Sequence, residues 1–227
     1  IQAKLGPGRA SWGVTQRAGQ LRWELRVLNR GGALIDELRR TLAPWLTFAP
    51  EIQDPADYQV LAFRFDAHTL ARASIDTLEL HRRADQPREM AVEVLGPGTS
   101  HTPARYSIFE TKREIDDVLA RLLASRTVDL TQHRRLLGRV LIPEIFACRR
   151  LHIGPGDELD ALVFSGINVE QLLWFVRRFG FPASTIALLD TQREAFEQLL
   201  FDVQLSYRFD PQRNTIDHVI AGYHGTL

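Results

Sequence analysis

The sequence predicts an α+β protein: a large antiparallel sheet, closed into a β-barrel or tunnel, with about four peripheral helices. Three observations predict it. About nine short segments alternate apolar and polar residues, the strand period. Most of them are joined by turns too short for a parallel crossover. Four stretches switch to helical spacing and interrupt the series.

Gln20 to Leu28 alternates as a strand and pairs with Ser11 to Arg17 across Ala18-Gly19. Gly31-Gly32 then opens a helix whose apolar positions are Leu34, Ile35, Leu38, Leu42 and Trp45, ending near Pro44. Pro50 to Asp57 is a loop. Tyr58 to Asp66 alternates again, with a short helical stretch from Thr69 to Ser74 after it. Thr77 to Arg83 and Glu89 to Leu95 form a hairpin over Ala84 to Pro87. Tyr106 to Arg113 is a strand running into the helix Glu114 to Ser125, and Val140 to Ile153 is mostly extended. Leu159 to Phe164 is a strand, and Asn168 caps the helix Val169 to Phe179. A last helix covers Thr191 to Leu200, before the closing hairpin of Val203 to Phe209 and Ile216 to Tyr223. Gly-Pro-Gly recurs at Gly6, Gly96 and Gly154 with unequal spacing, which makes these turns rather than a repeat.

The 227 residues fit a single domain over 1–227. With 28 basic and 28 acidic residues, the chain has no global attraction for nucleic acid, so any anion site is a local concentration of charge. Lys occurs only at Lys4 and Lys112; the bias to Arg fits a GC-rich bacterial genome. The lone Cys148 excludes an intrachain disulfide and fits a reducing, cytoplasmic compartment. No apolar run is long enough to span a membrane, and no signal-peptide pattern is visible.

Two stretches concentrate the chemistry. On a strand, Arg22, Glu24 and Arg26 share one face, with Trp23, Leu25 and Val27 on the other. Glu110 and Lys112 likewise share a face, opposite Phe109. Arg64 and Arg150 add guanidiniums on further strands. Inside a closed barrel such forks bind phosphate bidentately, and Glu24, Glu110 and Asp66 suit Mg²⁺ or Mn²⁺. On an open sheet the same residues are solvated cross-strand pairs worth little. The scattered histidines show no metal-ligand spacing, and Ser165 lacks the Gly-x-Ser-x-Gly elbow. Trp174, Phe175, Phe179 and Phe181 follow helical spacing and belong to a core.

In order, Arg22-Trp-Glu24-Leu-Arg26, the helix ending Leu42-Ala-Pro-Trp45, Phe63-Arg-Phe65-Asp66 and Phe109-Glu110-Thr-Lys112-Arg113 resemble one known pattern. It is that of the vacuolar-transporter-chaperone type polyphosphate polymerase domain, of the triphosphate tunnel metalloenzyme superfamily. The resemblance covers roughly residues 20–125. It implies an antiparallel tunnel of about eight strands that binds a nucleoside triphosphate or polyphosphate with divalent metal, as a phosphotransferase or triphosphatase. By matched positions Arg22, Arg26, Lys112 and Arg113 contact phosphate and Glu24 and Glu110 hold Mg²⁺ or Mn²⁺; the strand residues Arg64 and Arg150 are added as phosphate contacts, and Glu24, Glu110 and Lys112 are the catalytic candidates.

The chain departs from that pattern where Arg88-Glu-Met-Ala91-Val-Glu93-Val stands in place of a Lys-x-Arg-x-Arg strand, and where Asp160-Ala-Leu-Val163-Phe lacks the closing lysine. Losing one charge-assisted phosphate contact costs about 1.5–3 kcal/mol. Two alternatives stay open. One is a barrel similar to the aromatic prenyltransferases, whose hairpin–helix repeats resemble Trp12 to Leu46 and Ile145 to Phe179 and whose lumen takes a prenyl diphosphate. The other is a non-catalytic interaction scaffold.

Overall fold

The computed structural model of the protein describes residues 9–29, 34–50, 58–125, 127–156 and 158–225. Gly6, Lys4, Gly31-Gly32 and the loop residues 51–57 lie outside these. Strands β1 (Ala10–Arg17) and β2 (Gln20–Leu28) are joined by Ala18 and Gly19, both at positive φ (49° and 78°). That pair of left-handed residues is the tight-hairpin arrangement whose twist matches the strands it joins. Helix α1 (Leu34–Leu42) follows, then the two-residue strand β3 (Thr47–Phe48), β4 (Tyr58–Phe65) and helix α2 (Ala67–Arg72). Next come β5 (Ser74–Ile75), β6 (Leu78–Arg83), β7 (Glu89–Gly96) and the long β8 (Thr99–Phe109).

The second half holds α3 (Ile115–Leu123), α4 (Leu137–Leu141), α5 (Pro143–Phe146), β9 (Arg150–Gly154) and β10 (Asp160–Ile167). It ends with α6 (Val169–Arg178), α7 (Ala183–Thr191), α8 (Arg193–Phe196), β11 (Phe201–Asp210) and β12 (Thr215–Gly225). Ten strands hydrogen-bond into a closed antiparallel barrel in the order β1-β12-β11-β10-β9-β8-β7-β6-β4-β2, while β3 and β5 form a separate parallel pair. The predicted α+β class with a closed antiparallel sheet is the observed one, although the ring has ten strands rather than about eight. No helix among the described residues is long and apolar enough to cross a membrane.

The chain divides into two compact units, one chiefly from Leu21–Arg105 with the residues up to Val14, the other from Thr15–Gln20 and Tyr106–Thr226. In the N-terminal unit, Leu34, Ile35, Leu38 and Leu42 recur at helical spacing and put one stripe of α1 into the core. They join Leu25 and Val27 of β2, Leu61 and Phe63 of β4, and Leu78 and Leu80 of β6. Each such buried side chain is worth roughly 1.5–3 kcal/mol. The helix stops at Leu42, ahead of Pro44, so Trp45 is not on its stripe and stays 67% exposed.

In the C-terminal unit, Leu162 and Phe164 of β10 and Val203, Leu205 and Tyr207 of β11 are buried at alternate positions. Leu172, Phe175 and Val176 of α6 are buried at helical spacing. Asn168 caps α6 through Gln171, as its sequence predicts. A bulge at Gly166 breaks the β10–β11 register at φ 77°, and a Cβ there would come within 2.8 Å of Arg149 Cβ.

Several segments differ from expectation. Val140 to Ile153 is not mostly extended: Pro143, suited to the first turn of a helix, opens α5, and β9 begins only at Arg150. The helix expected over Thr191–Leu200 is shorter, α8 alone falling inside that range, and a further helix, α7, precedes it from Ala183, just after Pro182. And the strand expected over Tyr106 to Arg113 ends at Phe109. There the Glu114 carboxylate accepts from Glu110 N at 2.7 Å, and Arg113 N and Glu114 N donate to Glu110 O. Residues 111–113 form a turn leading into α3.

Candidate functional site

The site starts from the alternation in β2. Leu25 and Val27 point into the α1 core, so Glu24 and Arg26 take the opposite face of the sheet. The register sets Glu24 against Arg64 and Ala62 against Glu79, which gathers the polar residues of β2, β4 and β6 on that face. Arg64 Nε donates to Glu24 Oε2 at 2.6 Å, and its terminal nitrogens donate to both oxygens of Glu79. Arg26 Nε donates to Glu24 Oε1. His81 Nε2 lies 3.9 Å from Glu79.

Glu24 is only 1% exposed, and a carboxylate is tolerated there because both oxygens accept charge-assisted hydrogen bonds. Burial disfavours the Arg64 cation, but the carboxylates of Glu79 and Glu24 outweigh it and hold the guanidinium above its ordinary range. Burial pushes the Glu79 carboxyl up, opposed by Arg64 and aided by the charge of Glu24.

Where β4 ends and α2 turns back, a cleft of about 250 Å³ opens, lined among others by Arg22, Arg64, Arg72, Asp66, Asp76 and Glu79. Asp66 caps α2, accepting from Thr69 N at 2.9 Å and Thr69 Oγ1 at 3.1 Å. The Thr69 amide and Arg22, 3.4 Å away, hold its carboxyl below the usual range. Arg72 pairs with Asp76 at 2.7 Å, and Ser74 Oγ donates to Asp76. Three guanidiniums and three carboxylates thus face one concave space.

Of the residues singled out from sequence, Glu24, Arg26 and Arg64 come together, and Arg22 joins Arg64 at the cleft. Glu110, Lys112 and Arg113 belong to the C-terminal unit and sit on the exposed turn after β8, where Arg113 pairs with Glu110 at 3.3 Å. They form no strand row. The buried residue of that turn is Thr111, whose Oγ1 donates to Cys148 O at 2.6 Å. Arg150 opens β9 and is exposed. Burial pushes the Cys148 thiol up to about 11, and its Sγ donates to Arg150 O.

Glu24 does not fit a metal ligand, since each of its oxygens already accepts from a guanidinium. Among the described residues no three His, Cys, Asp or Glu side chains gather as a metal site requires. Ala91 and Glu93 pair with Arg82 and Leu80, on the opposite face from Glu79. Glu93 accepts from Arg82 at 2.8 Å and from Ser100 at 2.5 Å. No protein-family model matches the chain, and no curated protein matches it in sequence.

Sequence reasoning missed Glu79, Arg72 and Asp76. Glu79 was within reach: Leu78-Glu-Leu-His81 alternates as β2 does and places Glu79 on the polar face. Arg72 and Asp76 lie on a six-residue helix and beside a two-residue strand, too short to show a period.

Proposed function

We propose that the protein binds a phosphate chain, as a triphosphate or polyphosphate, in the arginine cleft of the N-terminal unit. The observation that supports this is the convergence of Arg22, Arg64 and Arg72, from β2, β4 and α2, on one concave space. Guanidinium forks match phosphate oxygens bidentately, and carboxylates already hold these forks in direction before any ligand arrives. In this reading Glu24 is a positioning residue for Arg26 and Arg64. Mg²⁺ or Mn²⁺ would arrive with the phosphate chain, whose oxygens are the hard ligands such ions take. Phosphotransfer or triphosphate hydrolysis, as a bacterial cytoplasmic activity, is the function the residue pattern of β2 and β4 suggests for such a site.

A second reading keeps the charge and changes the ligand to a prenyl diphosphate. The hairpin–helix units β1-β2-α1 and β9-β10-α6 favour it, being the repeats at which the prenyltransferase likeness was drawn.

Thermal unfolding with tripolyphosphate, ATP and geranyl diphosphate, with and without Mn²⁺, tests both. A ligand at a hundred times its Kd stabilises by about 2.7 kcal/mol. Arg22→Ala and Arg72→Ala, both on exposed side chains, should weaken that effect without lowering the unliganded Tm. No shift with any of the three polyanions overturns the proposal and leaves a non-catalytic scaffold.

A further inference from the structure

In the arginine cleft every guanidinium has a carboxylate partner: Arg22 has Asp66, Arg64 has Glu24 and Glu79, and Arg72 has Asp76. The C-terminal unit holds the opposite arrangement. There Arg134, Arg135, Arg139 and Arg178 are exposed, and among the described residues no carboxylate lies within ion-pair distance of any of them.

Contacts within that unit gather the four on one face. Arg135 and Arg139 are four residues apart on the helical run from Arg134 to Leu141, so they are surface neighbours. Arg139 Nη1 donates to Thr215 Oγ1 at 2.9 Å, and its carbonyl oxygen lies 3.1 Å from His218 Nε2. The His218 ring meets Phe179 edge-on at 5.2 Å, and the Arg178 guanidinium carbon lies 6.0 Å from the centre of the same Phe179 ring. Burial, and then the charges of Arg178 and Arg139, hold His218 below its ordinary value against the pull of the Arg139 carbonyl and Asp217. Two guanidiniums thus act on one imidazole from α6 and α4. At the other end His133, just before Arg134, packs on Phe209 at 4.7 Å. The carboxylates of the β11–β12 hairpin are already engaged, Asp217 with Arg208 and Asp210 with Arg213. On a chain that is neutral overall, this face carries a local excess of positive charge.

We infer that this face docks an acidic segment of a partner protein, its carboxylates taken by Arg134, Arg135, Arg139 and Arg178 and its apolar side chains laid against Phe179 and Phe209. The surface is separate from the arginine cleft, and the inference does not depend on the phosphate-chain reading. Three arguments select the partner. An exposed ion pair is worth little alone, so the occupant must bring several anions on one chain, which a small anion does not. A nucleic-acid backbone carries charge at every step and would press phosphates on Asp210 and Asp217. A peptide can set its carboxylates over the arginines and leave gaps over the aspartates. A membrane surface takes cations beside exposed apolar side chains, whereas here Leu136 and Val140 are buried and Phe179 and Phe209 half-buried. Arginines interleaved with partly covered aromatic rings are the composition of a protein–protein contact.

Fluorescence anisotropy of a labelled peptide of Glu and Asp, broken by Phe and Leu, tests the inference on the full chain at low salt. The peptide should bind, and added NaCl should weaken it. Arg135→Glu with Arg178→Glu should lower its affinity about tenfold or more. Arg22→Ala, in the cleft, should leave it unchanged. Arg135→Gln with Arg178→Gln removes charge without adding any, and should weaken binding in the same direction with an unaltered Tm. No binding of the peptide, or equal affinity in both double variants and the wild type, would overturn the docking surface. Tighter binding of oligothymidylate, or of phosphatidylserine vesicles, through the same two arginines would overturn the acidic-protein partner.

Discussion

Glu24 and Glu110 sit in segments with closely similar charge patterns, Arg-Trp-Glu-Leu-Arg and Phe-Glu-Thr-Lys-Arg, yet one is sealed in a strand and the other lies open on a turn. The difference is in the residues between the charges. Around Glu24 they are Trp23, Leu25 and Val27, and Leu25 and Val27 are fully buried against α1 and β4. Around Glu110 they are Phe109, Thr111 and Arg113, so the apolar row ends after one residue and only a threonine goes inward. A strand holds a charged row only where the row behind it is worth burying. The buried neighbours also decide what the charges become: Glu24 is fixed by two arginines, whereas Glu110 meets only its own turn.

The sharpest way to break this contrast is to neutralise each glutamate. Glu24→Gln leaves Arg26 and Arg64 facing an amide and should cost about 3 kcal/mol in chemical denaturation. Glu110→Gln should stay within about 0.5 kcal/mol of wild type. A loss for Glu110→Gln as large as that for Glu24→Gln would show that the turn is not the solvated structure described. Next in size is Thr111→Val, which keeps the shape but strips the donor from a buried Cys148 carbonyl. It should cost about 1–2 kcal/mol, against nothing measurable for Lys112→Ala beside it.

A smaller effect, read by pH, belongs to Glu79 beside the Glu24 cluster. The folded protein raises Glu79 above its ordinary value, so it holds a proton that the unfolded chain releases first. Stability from this group is complete below the unfolded glutamate pKa and falls as pH rises towards the folded value. Glu79→Gln should flatten that decline in urea midpoints measured from acid to neutral pH, and a slope unchanged in the variant would contradict the assignment. Smallest in energy is amide exchange, expected to be slow at Leu25 and Val27 and fast at Lys112 and Arg113.

The sequence carries most of the barrel because its strands are half-buried, and half-burial writes itself as period two. β2 matches Gln20–Leu28, and β4, β6, β7, β10, β11 and β12 fall within a few residues of expectation. What escaped lacks that period. β8 carries Thr99, Ser100, His101 and Thr102 before any apolar row, and α4 and α5 are single turns set by Pro143 rather than by an amphipathic stripe. Half of the site was legible for the same reason. Arg22, Glu24, Arg26 and Arg64 follow from strand alternation, but their alignment with Glu79 depends on register across three strands, which no local pattern reports. Ala91 and Glu93 show the same limit, since their pairing with Arg82 and Leu80 puts them on the face of the apolar core.

Cys148 has a practical consequence. With its sulfur buried and its pKa pushed up to about 11, a very small fraction of the folded protein carries a thiolate at neutral pH, and that fraction is shielded from reagent. As the lone cysteine, it makes the protein a single-site clock. The rate of thiol alkylation reports how often the β9 region and the turn held by Thr111 open, with no label to engineer and no second site to subtract.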